Sequence, residues 1–250
     1  MSDFDVITIT LGFVPARIWK QSAAAYAATR NPLLRYKHYF VDQHYPLKKE
    51  KNRVALRKIC EEHGIEVLDP GKNLGLHDGF NWALRQINPP DHAVIIAYDP
   101  DTNPLGQGWD MALVRAIRGD SKQNVVWASL IHEQAAKELE ERGYERRKAD
   151  GYIDLMVTRR PVMNSISAFS YGWLKRVGGL SEPTAFYGHL EAAMYDKLGG
   201  RDWAFLPGWA ENEVLRAKQD KEYMTYKWVH AHLQTWKGDF ESWLAAGKPE

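Results

Sequence analysis

A chain of 250 residues and 28.7 kDa suits one α/β domain, or at most two small ones, and is long enough to bury a full core. Its 33 Lys and Arg against 32 Asp and Glu leave a formal charge of +1, so the basic excess that drives nucleic-acid binding is missing. Hydrophobic residues at 44% and charged residues at 26% exclude a disordered or fibrous chain, and the single cysteine, Cys60, excludes intrachain disulfides, thiolate zinc sites and iron–sulfur clusters.

The chain opens with acid where a signal peptide needs basic residues, and no apolar run approaches the roughly 18 residues of a membrane span. A soluble, cytoplasmic protein in a reducing compartment is the expectation. Ten Trp and 12 Tyr are a heavy aromatic load; such rings stack on sugars or bases, but more often fill cores.

Asp5–Thr10 is a β-branched run followed by Pro15 and an Ala-rich stretch, Ile18–Ala28, which reads as strand then helix. The pattern repeats with Tyr36–Asp42 as strand, Lys48–His63 as charged amphipathic helix, and Ile65–Asp69 as a strand closed by Pro70-Gly71. A third helix spans Leu76–Gln86. His92–Tyr98 is almost wholly apolar, as in a parallel strand covered on both faces. Four βα units within about 118 residues predict an open α/β sheet. Val125–Ser129 then reads as a strand, Glu133–Arg142 as a helix, and Arg142–Lys148 as a solvated connection. Ile153–Val157 and Ser165–Phe169 read as strands, and Tyr171–Val177 and Leu190–Leu198 as helices ended by Gly178-Gly179 and Gly199-Gly200. The expected organisation is one mixed α/β domain over residues 1–250, with a ligand-binding half to about 120 and a second-ligand half beyond it.

Asp99-Pro100-Asp101 follows the most buried strand directly, and in open α/β sheets ligands bind beyond the carboxyl ends of the strands. In an extended segment Asp99 and Asp101 project to the same side, and two carboxylates there suit a hard ion such as Mg²⁺ or Mn²⁺ that also takes phosphate oxygens. The same tripeptide also reads as a polar turn. Asn73–Leu84 is a glycine-bearing entry into a helix, where Gly75 and Gly79 permit close backbone approach and the helix N-terminus attracts phosphate. Asp42 ends the second strand on the same rim; its bland role is a turn cap.

In this order the motifs resemble glycosyltransferases of the GT-A fold, especially the inverting family 2. The residues that match are Asp42, the N-x-G-x-x-x-G-x-N block (Asn73, Gly75, Gly79, Asn81), the D-x-D pair, Val177–Glu182 and Tyr187–Glu191, spread over about residues 5 to 205. The resemblance implies a Rossmann-like, mostly parallel sheet and a metal-dependent enzyme that moves a sugar from a nucleotide-diphosphate sugar, UDP-linked in expectation, to an acceptor hydroxyl with inversion. On the donor side it places Thr10, Leu11, Asp42, Asn73, Gly75, Asp78, Asp99, Pro100 and Asp101, with Asp42 at the uracil or ribose and Asp101 on the Mn²⁺ or Mg²⁺ that bridges the diphosphate. A carboxylate takes the acceptor proton in inverting relatives.

Here the chain departs from the pattern, because Gly188-His189 stands where a Glu-Asp pair is expected and Glu191 is the nearest acid. Counting back from Gly199-Gly200 puts His189 in the position of the base, while a carboxylate base favours Glu191, with Glu182 next in line; both His189 and Glu191 also read as a plain helix start. A C-terminal histidine often joins the metal in this fold, which draws attention to His230 and His232; extended, the two face one way, and helical, they diverge. The acceptor is not readable from the chain: a glycan, a lipid-linked sugar at a membrane surface, a protein or, as phage-type enzymes use, a hydroxylated DNA base all fit, and for the last Lys48, Lys49, Lys51, Arg53 and Arg57 are the local support, a cluster that also reads as a solvated helix face. Two other readings stand beside this one: a non-catalytic carbohydrate- or nucleotide-binding module that lost its base, and a nucleotidyltransferase, which the single glycine of Leu11–Arg17 matches poorly.

Overall fold

The computed structural model describes residues 6–46, 49–118, 125–149, 153–158, 166–180, 194, 196–199 and 202–209. The first strand, β1 (Val6–Gly12), is apolar and β-branched on both faces, as a central parallel strand must be. Helix α1 (Ala16–Thr29) starts after Pro15 and lays Trp19, Ser22, Ala23 and Tyr26 against the sheet at helical spacing. Then come β2 (Tyr36–Asp42), α2 (Lys49–Glu62), β3 (Glu66–Leu68), α3 (Leu76–Ile87) and β4 (Val94–Tyr98). Asn88, in the left-handed region at φ 47°, ends α3 just before Pro89-Pro90.

The second part of the chain supplies α4 (Trp109–Arg118), β5 (Val125–Ile131), α5 (Glu133–Glu141), β6 (Arg146–Ala149), β7 (Ile153–Thr158), β8 (Ile166–Ser170), α6 (Tyr171–Arg176), a 3₁₀ turn at Asp196–Leu198 and β9 (Asp202–Pro207). All nine strands join one sheet in the order β3-β2-β1-β4-β8-β5-β9-β7-β6. Strands β1 to β4 pair in parallel, and β5 pairs in parallel with β9. Strand β8 wedges between β4 and β5 and runs against both, and β7 runs against β9 and β6. Trp19, Phe40, Trp109 and Leu113 bury one face of the sheet beneath α1, α2 and α4, while Ile9, Phe80, Phe169 and Trp203 bury the other beneath α3, α5 and α6. Trp127 and Trp203 stack there with centroids 3.8 Å apart, so these rings fill the core rather than face a ligand.

Two elements depart from the sequence reading. The polar run expected to be a solvated connection contains β6, an outermost strand, and Arg146 there is clamped by Glu133 and Glu140 at 2.8 Å each. Charged residues protect an exposed sheet edge, so its polarity hid a strand. Strand β9 carries no strong boundary signal and finds its place between β5 and β7 only through long-range pairing.

Candidate functional site

Because β3, β2, β1 and β4 are parallel, their carboxyl ends at Leu68, Asp42, Gly12 and Tyr98 share one edge. The chain winds from β1 outward through β2 to β3 and then crosses back to β4 on the other side of β1, so the order reverses between β1 and β4, the switch point where open α/β sheets take their ligands. The register pairs Gly12 with Asp42 and Val41 with Leu68, which sets Asp42 and Asp69 abreast on the rim.

Asp42 is buried at 2% exposure and fully engaged: one oxygen accepts the His44 N–H at 3.0 Å and the other accepts Arg53 Nε at 2.8 Å. Arg53 reaches Asp69 at 2.6 Å, Arg57 joins it at 2.9 Å, and His44 Nε2 lies 2.8 Å from the other Asp69 oxygen. Burial pushes the Asp69 carboxyl up, but His44, the Gly71 N–H and Arg53 together outweigh it and hold the group below its ordinary value. His44 adopts φ 52°, a left-handed conformation that its bond to Asp42 supports. Among the described residues, Asp42, His44 and Asp69 form a group of three potential metal ligands with donor atoms within 4.8 Å of one another. The donor set does not fit a cation, since two guanidiniums already neutralise both carboxylates.

Asp99, Pro100 and Asp101 form a turn rather than the extended segment expected, because the ladder ends at Tyr98 and the Asp99 carbonyl takes the Thr102 N–H at 3.2 Å. Pro100, with φ preset, is at home as the second residue of such a turn. Both aspartates are half-buried just past the carboxyl end of β4. Two oxygen-donor carboxylates on one turn, at the switch point, fit a hard divalent ion.

The block before α3 is built by backbone geometry. Gly75, at φ 77°, caps the helix with no side-chain bond; its N–H goes to Asn73 Oδ1 at 2.8 Å, and buried Gln43 takes the Leu74 N–H at 2.8 Å. A side chain at Gly79 would collide with the Gln43 amide, which explains that glycine by packing. Asp78 is exposed in the first turn of α3. Thr10 turns its hydroxyl into the core, 2.8 Å from His38 Nε2, so its backbone alone lies toward the rim; Leu11 packs beneath α3. Asn81, the last residue of the block, faces the acceptor half: its amide donates to the Leu180 carbonyl at 2.8 Å and accepts the Leu180 N–H at 2.9 Å.

Glu182, His189, Glu191, His230 and His232 lie outside the described residues, as does most of the predicted helix Leu190–Leu198. Their flanks are placed. Lys197 Nζ donates to the Gly179 carbonyl at 3.1 Å, and the Trp209 carbonyl accepts the Leu105 N–H at 2.8 Å, which ties the end of β9 to the exit of the Asp99–Asp101 loop. The sequence reading missed His44, Arg53 and Asp69 as rim residues. Asp69 was legible by the argument used for Asp42, since it too directly follows a parallel strand; the Arg53 bridge depended on α2 packing beside it.

No family model matches the sequence, and no curated protein matches it. Solved structures do match in three dimensions. Mannosyltransferase PcManGT from Pyrobaculum calidifontis, in complex with GDP-Man and Mn²⁺, superposes with a TM-score of 0.60 at 13% identity over 99% of this chain and 70% of that one. GalNAc-T7 with UDP, GalNAc and Mn²⁺ gives 0.60 at 10% identity over 82% of this chain and 43% of the other. TarS 1–349 of S. aureus, in complex with UDP-GlcNAc, gives 0.56 at 10% identity over 82% and 57%. The chain has the GT-A-type fold of glycosyltransferases, and it spans about half the length of the last two structures. Among the described residues no helix is long and apolar enough to cross a membrane.

Proposed function

We propose that this protein is a metal-dependent glycosyltransferase that moves a sugar from a nucleotide-diphosphate sugar to an acceptor hydroxyl. The observation that carries the proposal is the Asp99–Asp101 turn at the switch point of a GT-A-type sheet, on the same edge as the Asp42–Arg53 pair and near the glycine-capped start of α3. Neighbours of the same fold were solved with nucleotide sugars or UDP, two of them with Mn²⁺.

In this reading Asp101 holds the Mn²⁺ or Mg²⁺ and Asp99 holds either the ribose or a metal-bound water, with His230 or His232 as a further ligand. A divalent ion bound there neutralises charge on the departing nucleoside diphosphate. The nucleobase or ribose, uracil in the UDP reading, lies against the rim that the Asp42–Arg53 pair fixes, and Gly75 lets that group approach the backbone. Glu191, or else His189 or Glu182, takes the acceptor proton, and attack from the face opposite the leaving group inverts the anomeric centre. A glycan acceptor is favoured over a DNA base, because Arg53 and Arg57 are spent on Asp42 and Asp69 and are not free for phosphates. The site of action is the cytoplasm.

Incubation with Mn²⁺ and a panel of UDP- and GDP-sugars, followed by assay of free nucleoside diphosphate, tests the reading. Release that needs both metal and a matching sugar nucleotide supports it. Pyrophosphate release from a nucleoside triphosphate identifies a nucleotidyltransferase instead, and binding of sugar nucleotides without any release, with a panel of glycan acceptors present, identifies a non-catalytic module.

A further inference from the structure

Serine 22 is an odd residue for its position. It lies mid-way along α1 on the stripe that faces the sheet, between Trp19 and Tyr26, and is 1% exposed. An apolar side chain is the default there, and a buried hydroxyl is costly unless bonded. Its Oγ donates to the carbonyl of Thr102, at 2.5 Å. The phenol of Tyr98, the last residue of β4 and also 1% exposed, reaches the same carbonyl at 2.7 Å and lies 3.0 Å from Ser22 Oγ.

We propose that Ser22 and Tyr98 are positioning residues for the metal-binding turn, holding Asp99 and Asp101 at the rim through the Thr102 carbonyl; this rests on the reading of that turn given above. Thr102 closes the turn, since its N–H donates to the Asp99 carbonyl. Its own carbonyl has two lone pairs, and each hydroxyl has one proton. The Tyr98 phenol also lies 3.2 Å from the Ser22 backbone carbonyl, so it ties α1 to the end of β4 through two Ser22 atoms. With both protons on the Thr102 carbonyl, or with Ser22 donating to Tyr98 and Tyr98 to that carbonyl, deleting either hydroxyl removes one of the bonds that join Ser22, Tyr98 and Thr102. Helix α1 is thus bolted to the turn at the point where the chain leaves the sheet ladder. On the far side, the Leu105 N–H is bonded to Trp209, so the loop is held at both ends. Carboxylates that bind an ion must be fixed in place, and removing the groups that support metal ligands typically weakens metal affinity by about 10–100-fold.

A merely structural role would lower stability and leave metal affinity alone. The Thr8 Oγ1–Tyr26 Oη bond, 2.8 Å long, supplies the control: it is buried in the same layer between β1 and α1 but does not touch the turn. Mn²⁺ is titrated calorimetrically into the UDP-saturated protein for wild type, Ser22→Ala, Tyr98→Phe and Thr8→Val, and the melting temperature of each is recorded. The expected result is a rise in the Mn²⁺ Kd of about 10–100-fold for Ser22→Ala and Tyr98→Phe. Thr8→Val should melt earlier and bind Mn²⁺ as wild type does. Tyr98→Phe keeps the ring packing and carries the test if Ser22→Ala does not fold. Wild-type uptake of Mn²⁺ with unchanged affinity in both variants overturns this inference alone. No uptake by wild type overturns the metal reading of the turn and this inference with it.

Discussion

Gly179 and Asn81 should be energetically coupled, and the size of the coupling follows from their geometry. Gly178 and Gly179 both adopt left-handed backbone, at φ 79° and 83°, but a methyl on Gly178 meets open space whereas one on Gly179 lies 2.5 Å from Asn81 Oδ1. Left-handed backbone costs an L-residue about 1–2 kcal/mol, so Gly178→Ala should cost that much. Gly179→Ala adds an overlap of about 1–3 kcal/mol, because Asn81 is held by two bonds to Leu180 and cannot swing away cheaply. In the Asn81→Ala background the overlap disappears, and Gly179→Ala should fall back to about 1–2 kcal/mol. Asn81→Ala is itself destabilising, since it leaves the N–H and carbonyl of buried Leu180 without their partner, at about 1–3 kcal/mol for each group. Equilibrium urea unfolding of wild type, both single variants and the double variant measures the coupling directly. Additivity within about 0.5 kcal/mol, or a Gly179→Ala cost no larger than that of Gly178→Ala, would refute the reasoning.

Asp101→Asn keeps the size of the side chain but removes its charge, so Mn²⁺-dependent UDP binding should be lost in calorimetry; unchanged affinity would place the ion elsewhere. Glu191→Gln or His189→Ala should lower transfer by about 10²–10⁴-fold with UDP affinity intact, and normal transfer in both would move the base to Glu182. A His189 base should show activity falling near pH 6.5, the ordinary histidine value, while an ordinary glutamate base should hold activity to lower pH. His38 gives a prediction on stability. Burial first, and then the charge of Arg30, push its pKa down to about 3 from 6.5, so the unfolded chain takes up a proton that the folded one refuses. The sign is therefore loss of stability as pH falls below 6.5, at up to about 1.4 kcal/mol per pH unit, with the full contribution present above that value. Urea unfolding at pH 7 and pH 5 should show a smaller drop for His38→Gln than for wild type, by about 2 kcal/mol. Equal drops would show that His38 is protonated in the folded protein.

What could be read from the chain alone was whatever local pattern controls. Strand Tyr36–Asp42 was legible residue for residue, and the first four strands with their helices came within a few positions, because periodicity and Gly/Pro breaks specify elements that pack on their sequence neighbours. The placement of Asp42 and Asp99–Asp101 at strand ends was legible for the same reason, since parallel strands joined by helices must share one carboxyl edge. Tertiary structure decided everything that depends on distant segments meeting. Strand β8 turns against its neighbours and enters between β4 and β5, which does not follow from local propensity because its partners lie far off in sequence. The charged β6 pairs only with the next strand, β7, and becomes a sheet edge rather than a solvated connection because β7 docks on β9, about 50 residues further on. Asn81 read as part of a nucleotide block, yet its amide is matched to Leu180, 99 residues away. Arg53 and Arg57 read as a basic helix face, yet their charge is consumed by Asp42 and Asp69 once α2 lies beside β2 and β3. Ser22 read as one more small residue in an Ala-rich helix. Only the packing of α1 against the end of β4 turns its hydroxyl into a support for the Asp99–Asp101 turn, because a hydrogen bond needs a partner within about 3 Å and no local rule brings Thr102 that close.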